Sequence, residues 1–178
     1  MHIGVIIGIV IGILFVLFLV IWLAISIYTW HKLNKLNPHL PRVSIDPKEY
    51  AGKWYEIASV PSWFEKGCSH TTAEYTVEQN RIKVTNKCIR NGKHDVANGY
   101  AYPTKHYGVL GVSFFPGIYG NYTVVYRDTK TSIVSDPERN YMWILSRDKQ
   151  ITKSKTLHLM AWLKKHHFDS SRLVFTKH

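Results

Sequence analysis

The sequence predicts an all-β fold, an eight-stranded antiparallel up-and-down barrel with a C-terminal amphipathic helix, preceded by one N-terminal transmembrane helix. Three observations predict this fold. The residues before Lys32 include no Asp, Glu, Lys or Arg. Residues 53–147 consist of short apolar runs separated by turn residues. A segment with the apolar periodicity of an amphipathic helix follows the last run. The chain therefore divides into a predicted transmembrane anchor, a linker and a barrel domain: residues 1–30, 31–45 and 46–178.

The charge of the chain is unevenly distributed. The 178 residues carry 23 Lys and Arg against 12 Asp and Glu, a net charge of +11, and all of these lie at or after Lys32. The uncharged apolar segment excludes a simple soluble chain and a disordered one. The basic excess indicates attraction to anionic lipid head groups or a solvated outer face. We expect no nucleic-acid partner, because no recognition motif accompanies the charge.

The N-terminal segment predicts a membrane anchor. The apolar run from Ile3 to Ile27 exceeds the roughly 20 residues that a helix needs to cross the hydrocarbon core. Tyr28 and Trp30 then precede Lys32, an order typical of a membrane–water interface. A cleaved signal peptide is the alternative, but its apolar core has only about 7–15 residues. Small residues recur on one helical face and suggest a homodimer through this helix: Gly4, Gly8 and Gly12.

The domain after the anchor reads as consecutive strands. Side chains alternate between apolar and polar within the runs, as in a sheet with one buried face. The predicted strands are Trp54–Val60, Thr72–Val77, Arg81–Lys87, Gly99–Tyr102, Val109–Phe115, Tyr122–Tyr126, Thr131–Val134 and Tyr141–Leu145. An amphipathic helix is predicted over Ser154–His167, with Leu157, Met160, Ala161 and Lys164 on one face and Leu163 beside them. A last short strand is predicted over Leu173–Thr176.

Several segments of this domain resemble the lipocalin family, and within it the bacterial lipocalin and apolipoprotein D group. Their order and spacing agree with the family from Tyr50 to Thr176. The segments that carry the resemblance are Gly52–Ala58 with its G-x-W motif, Phe64–Cys68, Thr72–Tyr75, Val112–Phe115, Tyr119–Gly120, Asp136–Arg147 and Phe168–Leu173. The bacterial relatives are held by a lipid on an N-terminal cysteine. Here no cysteine precedes Cys68, so the apolar helix takes that role.

The resemblance implies roles for particular residues. Gly52, Trp54 and Arg147 are expected to be structural, with Trp54 at the closed end of the barrel and Arg147 over its indole. The inward faces are expected to bind a small hydrophobic ligand such as a fatty acid or lysophospholipid. The predicted ligand-binding residues are Glu56, Ala58, Tyr75, Asn86, Val112, Phe114, Tyr122, Val124 and Trp143. Asn86 and Glu56 are the most informative, because a polar group in an apolar interior needs a partner.

The two cysteines lie in neighbouring predicted strands. In a hairpin that turns near Gln79 and Asn80, Cys68 and Cys88 come nearly opposite each other, so a disulfide is plausible. The alternative is two reduced thiols. A disulfide indicates an oxidising compartment and hence a domain on the lumenal or extracytoplasmic side. The positive-inside rule, applied to Lys32, points to the cytoplasm instead. We expect the extracytoplasmic side.

No other chemistry is predicted. The ten histidines are scattered, so we expect no metal site and no cofactor. The sequence carries no hydrolase, metalloprotease or P-loop motif, so we expect no enzymatic activity. Two alternatives remain open: a thiol-dependent isomerase that resembles prostaglandin D synthase and uses a free cysteine, and a structural barrel filled by its own side chains. Our main expectation is a membrane-tethered lipid-binding protein.

Overall fold

The computed structural model describes residues 2–33 and 35–178. A long N-terminal helix precedes a one-turn helix, eight strands, a C-terminal helix, a 3-10 turn and a two-residue strand. The bounds are α1 His2–Leu33, α2 Pro47–Tyr50, β1 Gly52–Ser59, β2 Cys68–Val77, β3 Ile82–Arg90, β4 Lys93–Pro103, β5 Val109–Phe115, β6 Ile118–Arg127, β7 Thr131–Ser135, β8 Met142–Ser146, α3 Lys153–Lys165, the 3-10 turn Ser170–Arg172 and β9 Val174–Phe175.

The strands close into a barrel. Strands β1 to β8 each pair antiparallel with their neighbours in the chain, and β1 also pairs with β8. This confirms the predicted eight-stranded up-and-down barrel. Strand β9 pairs with Ala58 and Ser59, the last residues of β1, where β2 no longer does. Several strands run further than predicted, most of all β4, whose first six residues are exposed. These residues join the sheet through backbone hydrogen bonds. Because both faces are exposed there, their side chains do not alternate between apolar and polar, and the strand was predicted too short.

One end of the barrel is closed. Trp54 is fully buried there and donates from Nε1 to the carbonyl oxygen of Tyr50 at 2.8 Å. The guanidinium of Arg147 lies 3.8 Å from the Trp54 ring centroid. It also donates to the carbonyl oxygens of Lys53, Glu49 and Tyr50 at 3.0, 2.8 and 3.3 Å. This is the arrangement that the resemblance implies, and it seals the closed end with a cation on an aromatic face.

A glycine allows this seal to form. Gly52 begins β1 with a φ of +88°, in the left-handed region that only glycine occupies at little cost. A Cβ at this position would lie 3.5 Å from a guanidinium nitrogen of Arg147. The one-turn helix α2 comes just before it. Asp46 caps α2 by accepting from the backbone N–H of Lys48 at 2.8 Å.

Helix α3 covers the outside of the barrel. Leu159 and Leu163, four residues apart, are fully buried against Val125 and Ile133 on the outer faces of β6 and β7. The predicted apolar face is partly right, because Met160 and Leu163 pack in this cluster, whereas Leu157 is 62% exposed. The buried face is centred on Leu159 and Leu163, with Trp162 packed beside them. The two basic residues in the last turn of α3 remain at its exposed side, near the negative end of the helix dipole.

Helix α1 continues past the predicted end of the anchor at residue 30. Its last turn packs on the barrel, where Leu33 is 2% exposed and lies beside Gly111 of β5. The predicted linker is also docked, since Val43 donates its N–H to the carbonyl oxygen of Val124 at 2.9 Å. A Cβ added at Gly4, Gly8 or Gly12, on the predicted dimer face, would have no atom within 4 Å among the described residues outside the helix itself. The dimer stays a prediction.

The seal at the closed end predicts a stability effect. Replacing Arg147 by Met keeps an apolar stem but removes the cation and its three hydrogen bonds to carbonyl oxygens. We expect R147M to lower the free energy of unfolding by about 2 kcal/mol. Urea unfolding of the full chain in detergent, followed by circular dichroism, measures this. The matched control is K149M, which removes an exposed cation two residues away. Equal stabilities of the two variants would contradict the role of the seal.

Candidate ligand-binding cavity

The barrel encloses a cavity of about 570 Å³ that opens at the end opposite Trp54. We call this end the open end. It is formed by the loops and turns at residues 60–67, 91–92, 116–117 and 136–141. The volume lies within the range of about 300–1,000 Å³ that small-molecule sites occupy. The lining is mostly apolar and aromatic, and strands β2 to β6, strand β8, the 60–67 loop and α1 contribute to it.

Most of the predicted ligand-binding residues lie on this cavity. Six of the nine line it: Tyr75, Asn86, Val112, Phe114, Tyr122 and Trp143. Val124 is fully buried beneath it, in the core cluster that surrounds Trp54. Ala58 lies in the other cluster, under α3, because the pairing register between β1 and β8 shifts between Glu56 and Ala58. That shift reverses the inside–outside alternation on which the choice of Ala58 depended.

Tyr75 and Tyr122 form the floor of the cavity, and the fully buried Tyr50 bonds to this floor from below. The hydroxyl of Tyr122 lies 2.8 Å from that of Tyr50 and 2.9 Å from that of Tyr75. Tyr50 reaches Ser132 Oγ at 3.0 Å. Burial raises the pKa of all three phenols above the usual 10.0, so they stay neutral. Because these hydroxyls are hydrogen-bonded within the protein, they need no polar group from a ligand. The floor therefore suits an apolar tail.

A carboxylate stands between the floor and the opening. Glu65, from the 60–67 loop, accepts from Trp143 Nε1 at 3.1 and 3.2 Å and from Ser62 Oγ at 2.8 Å. Burial raises its pKa, and these donors together with the nearby Arg90 oppose the rise. Arg90 also fixes the loop, because it donates to the carbonyl oxygens of Phe64 and Lys66 at 2.7 and 3.0 Å.

Two cavity-lining amides have unused hydrogen-bonding atoms. Asn86 Oδ1 and Asn121 Nδ2 are buried and find no hydrogen-bond partner among the described residues. A buried polar atom without a partner is costly, and such atoms in native proteins usually meet water or a ligand. Asn86 therefore offers an acceptor to the polar part of a guest. Asn121 pairs with Gly111 and lies on the face of β6 opposite Tyr122, the face that α1 covers.

A disulfide joins the two strands beside these amides. Cys68 and Cys88 are bonded, with Cα atoms 5.5 Å apart, and both line the cavity. This confirms the predicted disulfide. Strands β2 and β3 pair in the predicted register near the turn and slip by one residue between Ser69 and Thr72. Cys68 is then opposite Arg90, two residues from Cys88, so the bonded cysteines are diagonal neighbours. Asp95 lies close to both sulfurs, but bonded cysteines offer no thiolate to a metal.

Helix α1 also contributes to the wall, which the sequence did not predict. Thr29, Lys32 and Leu33 line the cavity. Strand β6 begins at Ile118, but its pairing with β7 starts only at Thr123. The last turns of α1 lie beside this part of β6, which pairs with β5 but not with β7.

The comparisons with known proteins agree with this geometry. The sequence matches the lipocalin-like domain family over residues 45–178. The chain is a lipocalin. It is 34% identical over 143 residues to the outer membrane lipoprotein Blc of Escherichia coli K12, which covers 75% of this chain and 80% of that protein. It is 30% identical over 161 residues to apolipoprotein D of Macaca fascicularis, covering 82% and 83% of the two chains.

Solved structures support the fold of this lipocalin. Insecticyanin from the tobacco hornworm Manduca sexta superposes with a TM-score of 0.64 at 21% identity, over 81% of this chain and 85% of that one. Members of the family are generally binding and transport proteins, in keeping with the expected lack of an enzymatic activity. The thiol-dependent alternative requires a free cysteine, and both sulfurs of this lipocalin are bonded to each other.

Glu56 lies outside the main cavity of the lipocalin. It lines a second cavity, which shares Glu65 and the 60–67 loop with the first. Ser59 Oγ donates to its Oε1 at 3.1 Å, and Thr176 Oγ1 also donates to that atom. Burial, and then repulsion from Glu65, raise the pKa of Glu56 from 4.5 to about 7, although the two hydroxyl donors oppose the change.

Glu56 predicts a pH-dependent stability. Its folded-state pKa of about 7 lies above the value of 4.5 for a free side chain, so ionisation favours the unfolded chain. The contribution of Glu56 to stability is complete below pH 4.5 and is lost as the pH rises through 7. E56Q, which stays neutral, should therefore gain stability over the wild type across this window, by on the order of 3 kcal/mol above it.

Unfolding in detergent at several pH values measures this difference. The control is E74Q, whose wild-type carboxylate is half exposed beside Lys87. A constant difference between E56Q and the wild type from pH 4.5 to above pH 7 would refute the assignment.

Proposed function

We propose that this lipocalin binds a single-chain lipid, such as a fatty acid or a lysophospholipid, inside its barrel and stores or transports it while α1 anchors it in a membrane. The observation that carries the proposal is the cavity itself. It has an apolar wall, a floor of mutually bonded tyrosines and, above that floor, the oxygen of Asn86, which has no partner among the described residues. A guest with one apolar tail and one polar head group matches this order of surfaces.

The polar groups support a particular orientation of the guest. The end of the tail rests on the floor against Tyr75 and Tyr122, whose hydroxyls already bond to each other, so no hydrogen bond is lost by contact with methylene groups. The head group lies higher, where Asn86 Oδ1 accepts a hydrogen bond. A hydroxyl or a protonated carboxyl can donate to this atom.

The anchor supports a role at a membrane. Helix α1 is long and apolar enough to cross a bilayer, and the bacterial relative is named an outer membrane lipoprotein. We propose a single pass with the barrel on the lumenal or extracytoplasmic side, where an oxidising environment preserves the Cys68–Cys88 disulfide. Tethering keeps the barrel near its lipid source and raises its effective concentration there without any new contact.

Native mass spectrometry of the full chain in detergent, after incubation with fatty acids and lysophospholipids, tests the proposal. We expect one bound lipid per chain, together with quenching of Trp143 fluorescence by a fluorescent fatty acid. A chain that never carries lipid would be a structural barrel, and the proposal would fail.

A cavity-filling variant gives the sharpest prediction. Val112 lines the cavity, and V112W should fill part of it and reduce affinity for the fluorescent fatty acid at least tenfold, about 1.4 kcal/mol. The matched control is V96W, which puts the same side chain on β4 at a position that does not line the cavity and is half exposed. Titration of both variants in detergent decides the matter. Equal affinities would contradict binding inside the barrel.

A further inference from the structure

The contacts of α1 fix the direction in which the barrel faces. Trp22 Nε1 donates to the carbonyl oxygen of Pro116, at the tip of the β5–β6 hairpin, at 3.2 Å. Eleven residues later, Leu33 packs against Gly111 in the middle of β5. Eleven helical residues and five strand residues both span about 16 Å, so α1 runs alongside β5 in the opposite direction. Followed toward its N-terminus, α1 passes the open end of the barrel and continues beyond it.

The length of α1 beyond the hairpin matches a bilayer. Ile3 to Trp22, both included, are 20 residues. A helix of that length spans about 30 Å, the thickness of the hydrocarbon core. Trp22, at the end of this stretch, is a residue that membrane–water interfaces select. When α1 crosses a membrane, the hydrocarbon therefore lies on the side of the barrel where the cavity opens, and the hairpin tip lies at its surface.

The open end carries the apolar surface that such a placement requires. Trp63 of the 60–67 loop is 79% exposed, and Phe115 at the hairpin tip is 68% exposed. Phe64 and Ile118 beside them are 43% and 42% exposed. All four also line the cavity. Exposed apolar residues are ordinary when scattered, but a cluster around the mouth of a cavity indicates an interaction surface.

Helix α1 is also part of the mouth. The last turn of α1 lies beside the part of β6 that β7 does not cover, and Lys32 Nζ reaches Glu138 Oε1 of the β7–β8 loop at 3.4 Å. Thr29 Oγ1 donates to the carbonyl oxygen of Gly117 at 3.3 Å. The membrane helix and the barrel thus form one continuous wall from the bilayer into the cavity.

We propose that the open end of the barrel faces the bilayer that α1 crosses, and that an acyl chain passes from the adjoining leaflet into the cavity between α1, the β5–β6 hairpin and the 60–67 loop. The inference rests on the proposed function and adds the route of the lipid. A chain that takes this route does not cross water, so its transfer does not carry the cost of exposing apolar surface.

Spin labelling of the full chain in phosphatidylcholine nanodiscs tests the orientation. Both native cysteines are in the disulfide, so a single introduced cysteine is the one site that a thiol-reactive nitroxide labels. We compare F115C at the hairpin tip with L157C, an equally exposed apolar position near the closed end. F18C, in the middle of α1, serves as the reference for the hydrocarbon core.

The expected result is a contrast in accessibility between the two sites. The label at 115 should relax with molecular oxygen, as the label at 18 does, and be shielded from a water-soluble nickel chelate. The label at 157 should show the reverse. A label at 115 as accessible to the chelate as the one at 157 would overturn the inference, while the lipid-binding results with V112W would stand by themselves.

A second variant tests the role of the α1 contact. A Cβ at Gly111 would lie 2.5 Å from Leu33 Cδ1, so G111Q should displace the last turn of α1 without changing a residue that lines the cavity. In G111Q the label at 115 should lose its shielding from the chelate. The control V96Q, outside the hairpin that contacts α1, should retain it. Retention in both variants would show that α1 does not orient the barrel.

Discussion

The stacking of Arg147 on Trp54 is the contact on which the rest of the structure depends. A barrel of eight strands has two ends, and a binding site needs one of them shut. Here a buried indole closes one end, and a guanidinium that also bonds three backbone carbonyl oxygens holds it in place. With that end sealed, solvent and ligand share one opening. The loop positions, the disulfide and the approach of α1 all concern that opening.

The interior above the seal is arranged by how its polar atoms are satisfied. The tyrosine hydroxyls bond to one another, and Glu65 accepts from two donors, the indole N–H of Trp143 and the hydroxyl of Ser62. These groups have partners without a guest. Asn86 Oδ1 has none among the residues described. The difference separates the polar atoms that hold the barrel together from those left for a ligand, because an unsupported buried atom costs stability until something binds it.

The sequence predicted the barrel well because alternation, turns and a family resemblance all agreed. Tyr75, Val112 and Trp143 could be placed on the cavity by parity alone. Ala58 could not, because one register shift in β1 reverses parity and leaves no mark in the sequence. Asn121 and Glu65 were missed for other reasons. Asn121 lies in a stretch of β6 that begins before the predicted strand, and Glu65 lies in a loop, where no period exists to indicate direction.

The most consequential miss was the last three turns of α1. Hydropathy identifies where a helix can enter lipid, but it does not say how far the helix continues after leaving it. Nothing in Thr29 or Leu33 taken alone distinguishes a residue in a linker from one in a cavity wall. Gly111 is the residue that permits this contact, because only a position without a side chain lets Leu33 approach β5 so closely. Read with the helix, that glycine connects the anchor to the binding site. On the proposed route, the apolar segment therefore determines how lipid reaches the barrel as well as where the barrel is held.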